Sequence, residues 1–332
     1  MSQEKQANLS VAEDSAEKDA TPPESGDQDM PRKKTKTSES KKKEPWHVFA
    51  HKASEGDIKK RFKEEAKSIL DKYKVDLENY CVIALLDPDS SIGSFDLDKI
   101  FSALTRVNND KEKDILLVIL SPGGSIEPAY QISKLCKAFS ANNFSVAVPR
   151  QAKSAATLIS IGADQIHMGP LGQLGPIDPQ LGGLPALGVT QALESIASLS
   201  ERFPGSSDMF AKYLRLALTV EQIGYCERIS ESAAQYAERL LSTKSKLPKK
   251  PGLIAKELVH EYKDHGFVID LDEAREHLGS EWVISDSKEV QFSEEIYSLL
   301  EEVNLMLEII RNKRLLVIGT FEDDVMVFDR KK

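Results

Sequence analysis

The sequence predicts an α/β fold: βα units on a parallel sheet, with helical additions and a C-terminal hairpin. Three observations predict it. Four short runs have strand length and mostly apolar character: "YCVIALL" (80–86), "KDILLVIL" (113–120), "FSVAVPR" (144–150) and "DQIHMGP" (164–170). Strands that read as continuous apolar runs are those buried on both faces of a sheet. Segments of helical periodicity separate the runs at intervals of about 30 residues, the rhythm of parallel crossover units.

The elements follow in order. Residues 1–45 contain no aromatic residue; an acid-rich part precedes the basic run "RKKTKTSESKKK". Such a stretch buries too little apolar surface to offset chain entropy, so a disordered charged tail is expected. Residues 46–77 are expected to form an N-terminal helical unit. Within it, Ile58, Phe62, Ala66, Ile69, Leu70 and Tyr73 recur at helical spacing. Residues 78–290 are expected to form the α/β domain. Its first strand is followed by a loop and helix, "SSIGSFDLDKIFSALTRV". Helices are then expected over 126–140 and 154–163, the latter rich in small residues. From about residue 180 the pattern turns helical and amphipathic. "KSKLPKKPG" (244–252) reads as a linker, "GLIAKELVHEY" as a helix, and "GFVIDLDEAREHLG" as a turn into a helix. The remainder, 291–332, is expected to be a helix over 292–311 and a hairpin, "RLLVIGTFEDDVMVFD".

Composition excludes several classes. The chain has 332 residues, 40% apolar, with a net charge of −9, which argues against a general nucleic-acid footprint. The basic run reads as part of a solvated tail. Cys81, Cys136 and Cys226 are widely spaced with no CxxC, so no zinc site or disulfide framework is signalled and a reducing compartment fits. No apolar stretch has the length of a signal sequence or a membrane span. No metal or cofactor site is expected.

In parallel α/β folds chemistry gathers at the carboxyl ends of the strands. Two stretches lie there. "SPGGSIEPAY" (121–130) puts two glycines after a buried strand, where positive φ leaves amide N–H groups uncovered. Such groups serve either an ordinary strand-to-helix turn or an oxyanion hole. "PRQAKSAATL" (149–158) puts Ser154 where a strand ends and a helix begins. A serine there is either an N-cap or a nucleophile favoured by the helix dipole. In the second case the Ala155 N–H is a second oxyanion donor, and the small residues 152, 155 and 156 keep the site open. Lys153 adjoins the serine in sequence, but neighbouring helix residues diverge.

Taken together, "LLVILSPGGSIEPAYQISKLCKAF" and "VAVPRQAKSAATLISIGADQIHMGPLGQLGPIDPQLG" resemble the Clp peptidase (ClpP/crotonase-fold) superfamily. Within it the chain is most similar to the serine dehydrogenase proteinases, relatives of signal peptide peptidase A, over roughly residues 78–285. The resemblance implies a ClpP/crotonase-type spiral, with Gly124 and Ala155 as oxyanion donors and Ser154 as nucleophile. The base is where the sequence departs. Asp178 stands near the position where Clp peptidases carry histidine, and His265, with Asp264 beside it, lies in a later segment. A triad of Ser154, His265 and Asp178 exchanges histidine and aspartate in chain order, which geometry permits. The rival base is Lys212, by analogy with the Ser–Lys dyad of signal peptide peptidase A.

The expected function is a cofactor-independent serine-type endopeptidase acting on polypeptides through an acyl-enzyme. A decayed Clp-fold scaffold or interaction protein, and a crotonase-like acyl-CoA enzyme, are the alternatives. A cytoplasmic homo-oligomer is expected, with a partner ATPase left open and no nucleic-acid partner. Leu214, Leu216, Leu218 and Ile223, together with "EEIYSLLEEVNLMLEII", are the apolar surfaces that suggest self-association.

Overall fold

The computed structural model describes residues 44–181 and 184–330. The expected charged tail, 1–45, therefore lies outside the described residues except at its last two positions. Glu44 onward forms one compact unit that contains the N-terminal helices, the α/β body and the C-terminal helix and hairpin.

Helices α1 (Trp46–Lys52) and α2 (Glu55–Lys72) lead into strand β1 (Tyr80–Leu86). There follow α3 (Ser94–Val107), β2 (Asp114–Leu120), α4 (Ile126–Phe139) and β3 (Phe144–Val148). The short β4 (Gln151–Ala152) precedes α5 (Ala155–Ile161), β5 (Gln165–Met168) and β6 (Gln173–Leu174). A small antiparallel pair, β7 (Gln180–Leu181) and β8 (Leu184–Pro185), opens the helical region. That region holds α6 (Ala186–Arg202), α7 (Ser207–Ala217), α8 (Val220–Leu241) and α9 (Pro251–Lys256), which runs on into a π-turn over Glu257–Glu261. The chain ends with α10 (Leu271–Leu278), β9 (Val283–Ile284), α11 (Lys288–Arg311), β10 (Lys313–Gly319) and β11 (Val325–Asp329). Capping agrees with this partition. Ser54 accepts from the Asp57 N–H while the Asp57 carboxylate accepts from the Ser54 N–H, which starts α2.

The central sheet has the order β11-β10-β1-β2-β3-β5-β9. β1, β2, β3, β5 and β9 are parallel, and the hairpin adds β10 antiparallel to β1. The apolar runs are continuous because both faces are covered. Ile83, Leu85, Ile115, Leu117 and Ile119 enter one core with residues of α4, α5, α8 and α10. Their alternates Ala84, Leu86, Leu116, Val118 and Leu120 enter a second core with α2 and α11. This is the period-two consequence of the pleat. The second core also absorbs the apolar stripe of α11: Phe292, Ile296, Leu300, Val303 and Leu307 are each at most 1% exposed. That stripe is therefore not an external surface, contrary to the expectation from its sequence.

A shorter ladder runs beyond the carboxyl ends of the strands. Ser121 donates to the Gln151 carbonyl, and Lys153 donates back to Ser121 (2.9 and 3.0 Å). β4 pairs in parallel with β6, and Leu174 exchanges both backbone bonds with Ile269. This ladder stitches together the segments after β2, before α5, around β6, and before α10.

Candidate active site

The second ladder sets the Gly-Gly turn against Ser154. Gly123 has φ +108°, and a Cβ there would sit 2.5 Å from the Ser154 Cβ and 2.7 Å from the Lys153 carbonyl oxygen. Gly124 has φ +153°, and a Cβ there would collide with the Ile92 backbone. Ile92 grips the turn: its N–H donates to the Gly123 carbonyl (2.8 Å), and its carbonyl accepts from the Ser125 N–H (2.9 Å). Any side chain would hold these strands of chain apart, so the pair is required by close approach as much as by φ.

Ser154 occupies the N-cap position of α5 with φ 51° and ψ −119°. A non-glycine residue in this region is strained and persists only where surrounding structure enforces it. Its side chain makes no capping hydrogen bond, so the hydroxyl is not spent on the helix. Thr157 takes over local bonding below: its hydroxyl donates toward the Ala152 and Gly175 carbonyls and accepts from the Gly175 N–H. Among the described residues, neither the Gly124 nor the Ala155 N–H donates to a backbone or side-chain acceptor. Ala152, in β4, and Ala155 and Ala156, in α5, are fully buried.

Ser154 lines a cleft of about 490 Å³ with Gly123, Gly124, Ile177, Tyr236 and His265. His265 comes from the loop that follows the π-turn. Its Nδ1–H donates to Asp178 Oδ1 at 2.6 Å. The Asp178 side chain is 4% exposed, and that of His265 is 29% exposed. The second Asp178 oxygen accepts from Gln180 Nε2 at 3.0 Å, so both carboxylate oxygens are occupied. With Nδ1 committed, Nε2 is the ring nitrogen left to exchange a proton. A hydroxyl, an imidazole and a buried carboxylate are the parts of nucleophile, base and orienting group.

Lys212 does not reach this cleft. It lies on α7, its side chain 75% exposed and paired at 2.7 Å with Asp208 one helical turn away. Its side chain is solvated rather than enclosed with Ser154. Lys153, which adjoins Ser154 in sequence, reaches the loop that carries His265. Its Nζ donates to the Phe267 carbonyl (2.8 Å) and lies 3.3 Å from that of Gly266, next to His265. Burial pulls its pKa below the ordinary lysine value, against the pull of Asp264. His277 joins a cluster behind the same loop. The Tyr262 hydroxyl donates to Glu273 (2.6 Å) and stands 2.7 Å from His277 Nε2, with Glu257 beyond. Burial, then the Glu273 bond, pushes the Tyr262 phenol far up.

A largely parallel sheet with a strained serine turn and a Gly-Gly turn at its carboxyl edge defines the class as α/β with its candidate site at the strand ends. Residues 91–201, about a third of the chain, match the sequence pattern of the family described as ClpP-like SDH-type serine proteinase. The matched span holds the Gly-Gly turn, Ser154 and Asp178; His265 lies beyond it. Two uncharacterized proteins of Methanocaldococcus jannaschii are similar. MJ0137 is 39% identical over 127 residues, covering 35% of this chain and 43% of its own length. MJ1495 is 34% identical over 97 residues, covering 29% and 32%. The chain thus matches less than half the length of either relative. Among solved structures, a mutant of the membrane-bound stomatin-specific protease 1510-N is 16% identical, with a TM-score of 0.40, covering 68% of this chain and 84% of that one. ClpP1 from Listeria monocytogenes is 14% identical, with a TM-score of 0.38, covering 67% and 99%. No helix among the described residues is long and apolar enough to cross a membrane.

Proposed function

We propose that this protein is a serine peptidase that cleaves peptide bonds through an acyl-enzyme, with Ser154 as nucleophile, His265 as base and Asp178 as its orienting carboxylate. The observation that carries this reading is the strained, uncapped Ser154 sharing one cleft with His265, whose Nδ1 is held by buried Asp178. In the reaction, Ser154 Oγ bonds to the scissile carbonyl carbon as its proton passes to His265 Nε2. The carbonyl oxygen becomes an oxyanion facing the free N–H groups of Gly124 and Ala155. Collapse breaks the C–N bond, and the departing amine takes the proton from His265. Water then repeats the sequence against the acyl-enzyme, releasing the carboxylate and restoring Ser154. Asp178 keeps the imidazole in the tautomer that accepts at Nε2 and stabilises the imidazolium that forms. The substrate is an extended polypeptide.

Labelling with a fluorophosphonate probe tests this. The wild-type chain should be labelled and Ser154→Ala should not, with peptidase turnover falling by roughly 10⁶-fold in the variant. A wild type that resists the probe while folded would instead point to a scaffold, and equal labelling of both chains would remove Ser154 as the nucleophile.

A further inference from the structure

The loop that carries His265 is pinned at both ends. Ile269 is bonded to Leu174 on one side, and Tyr262 is held by the Glu273–His277 cluster on the other. Between these anchors the chain turns on itself. The Asp264 carboxylate accepts from the Gly266 N–H (3.0 Å), and the Asp264 carbonyl from the Phe267 N–H (3.0 Å). Phe267 and Val268 are 44% and 50% exposed, so no core holds this stretch. Among the described residues, two side chains from outside bond to it: Asp178, through His265, and Lys153.

Lys153 is built for this contact. Its backbone N–H is fixed to Ser121 in the second ladder, one residue before the strained Ser154. Its stem crosses Gly175 so closely that a Cβ there would stand 2.6 Å from Lys153 Cδ. Its head then meets the carbonyls of Gly266 and Phe267. One side chain therefore connects the residue before the proposed nucleophile to the two residues after the proposed base. Among the described residues, the charged group facing its head is Asp264. Donor bonds from an ammonium to carbonyls are of the stronger kind.

We infer that Lys153 is a positioning residue that holds the His265 loop in register with Ser154, acting through the carbonyls of Gly266 and Phe267. It takes no proton from the serine and touches no substrate. This rests on the proposed Ser154–His265 reading for its effect on catalysis, but the loop contact itself does not.

Hydrogen exchange on the full chain tests the contact without requiring activity. Lys153→Met keeps the stem and removes the donors. Amides of residues 263–268 should exchange about ten-fold faster in this variant, while those of α5 stay within about two-fold of wild type. Lys153→Arg, which retains charge and donors, should restore most of the protection. Lys153→Gln, too short to reach both carbonyls, covers a failure of the methionine variant to fold and should show the same acceleration. In parallel, kcat should fall about ten-fold or more in Lys153→Met with KM little changed. Unchanged exchange in 263–268, or acceleration spread equally over α5, overturns the inference. Failure of the peptidase reading shows itself separately, as a folded wild type that the fluorophosphonate does not label.

Discussion

Asp178 illustrates how much one buried carboxylate decides. It is sequestered, bonded through one oxygen to His265 and through the other to Gln180. Asp178→Asn preserves the shape but offers His265 an amide that favours the wrong tautomer. We expect kcat to fall by about 10⁴-fold, as in other orienting-aspartate variants, with KM near wild type. Steady-state kinetics with a peptide substrate checks this, and a loss confined to KM would argue against the orienting role. Lys244 supplies a second single-residue effect, on stability. Its ammonium lies 4.2 Å above the Trp282 ring and donates to the Ala163 carbonyl. Burial outweighs the pull of Asp164, and the pKa is pushed down to about 8. The folded chain then binds fewer protons at this site than the unfolded chain between about pH 8 and the free lysine value of about 10.4. Stability relative to Lys244→Met should therefore rise through that window and be flat below it. Urea melts of both chains from pH 7 to 10 measure the difference; a difference that falls with pH would contradict the assignment.

At the scale of elements, the C-terminal hairpin does more than extend the sheet. Arg314 on β10 reaches Asp87 (3.4 Å), Asp89 (3.0 Å) and the Ser90 hydroxyl, all in the loop after β1. That loop ends at Ile92, the residue that brackets Gly123 and Ser125. The Asp87 and Arg314 side chains are 8% and 11% exposed, so removing Arg314 leaves a nearly buried carboxylate with no cation among the described residues, held only by the Asp89 and Ser90 N–H groups. Arg314→Met should cost about 3 kcal/mol in a denaturant melt. It should also slow fluorophosphonate labelling of Ser154 several-fold, because the Gly124 N–H loses its support. Full labelling speed in a destabilised variant would confine Arg314 to a stabilising role. The ladder joining Ser121, β4, β6 and Ile269 is the other element-scale device. It converts three separate strand ends into one rigid edge, which is where preorganised donors belong.

At the scale of the molecule, α7 is the element the single chain leaves uncovered. None of its residues is buried, and Met209, Tyr213 and Leu216 are 60%, 65% and 89% exposed. The apolar residues expected to drive self-association thus divide. Most of those of α11 are consumed by the second core, whereas Leu305, Ile309 and Leu216 remain at the surface. We expect the active form to be a homo-oligomer that covers α7. Light scattering at micromolar concentration should give a mass above the 36.9 kDa of one chain, and Leu216→Glu should lower it. A monomeric mass with full activity would rule the oligomer out.

Strands β1, β2, β3, β5, β10 and β11 and their order of appearance were legible in the amino-acid sequence, whereas the two-residue β4, β6, β7, β8 and β9 were not. β1 begins and ends at the expected residues, and β2 and α4 lie within one residue of expectation. Continuous apolar runs report burial on both faces, which is a local property of each segment. The Gly-Gly turn and Ser154 were legible for the same reason: positive φ and strand-to-helix turns demand particular residues at particular places. The partner of Asp178 was named from a family pattern, but that His265 meets it depends on a loop far along the chain returning to one edge. No local signal encodes that return. By sequence Lys212 is the rival base and Lys153 is set aside on local geometry, because neither lysine's tertiary surroundings can be read locally. The tertiary structure decided between them: one ammonium lies in water beside Asp208, while the other is drawn past Gly175 to carbonyls that only the folded chain brings within reach.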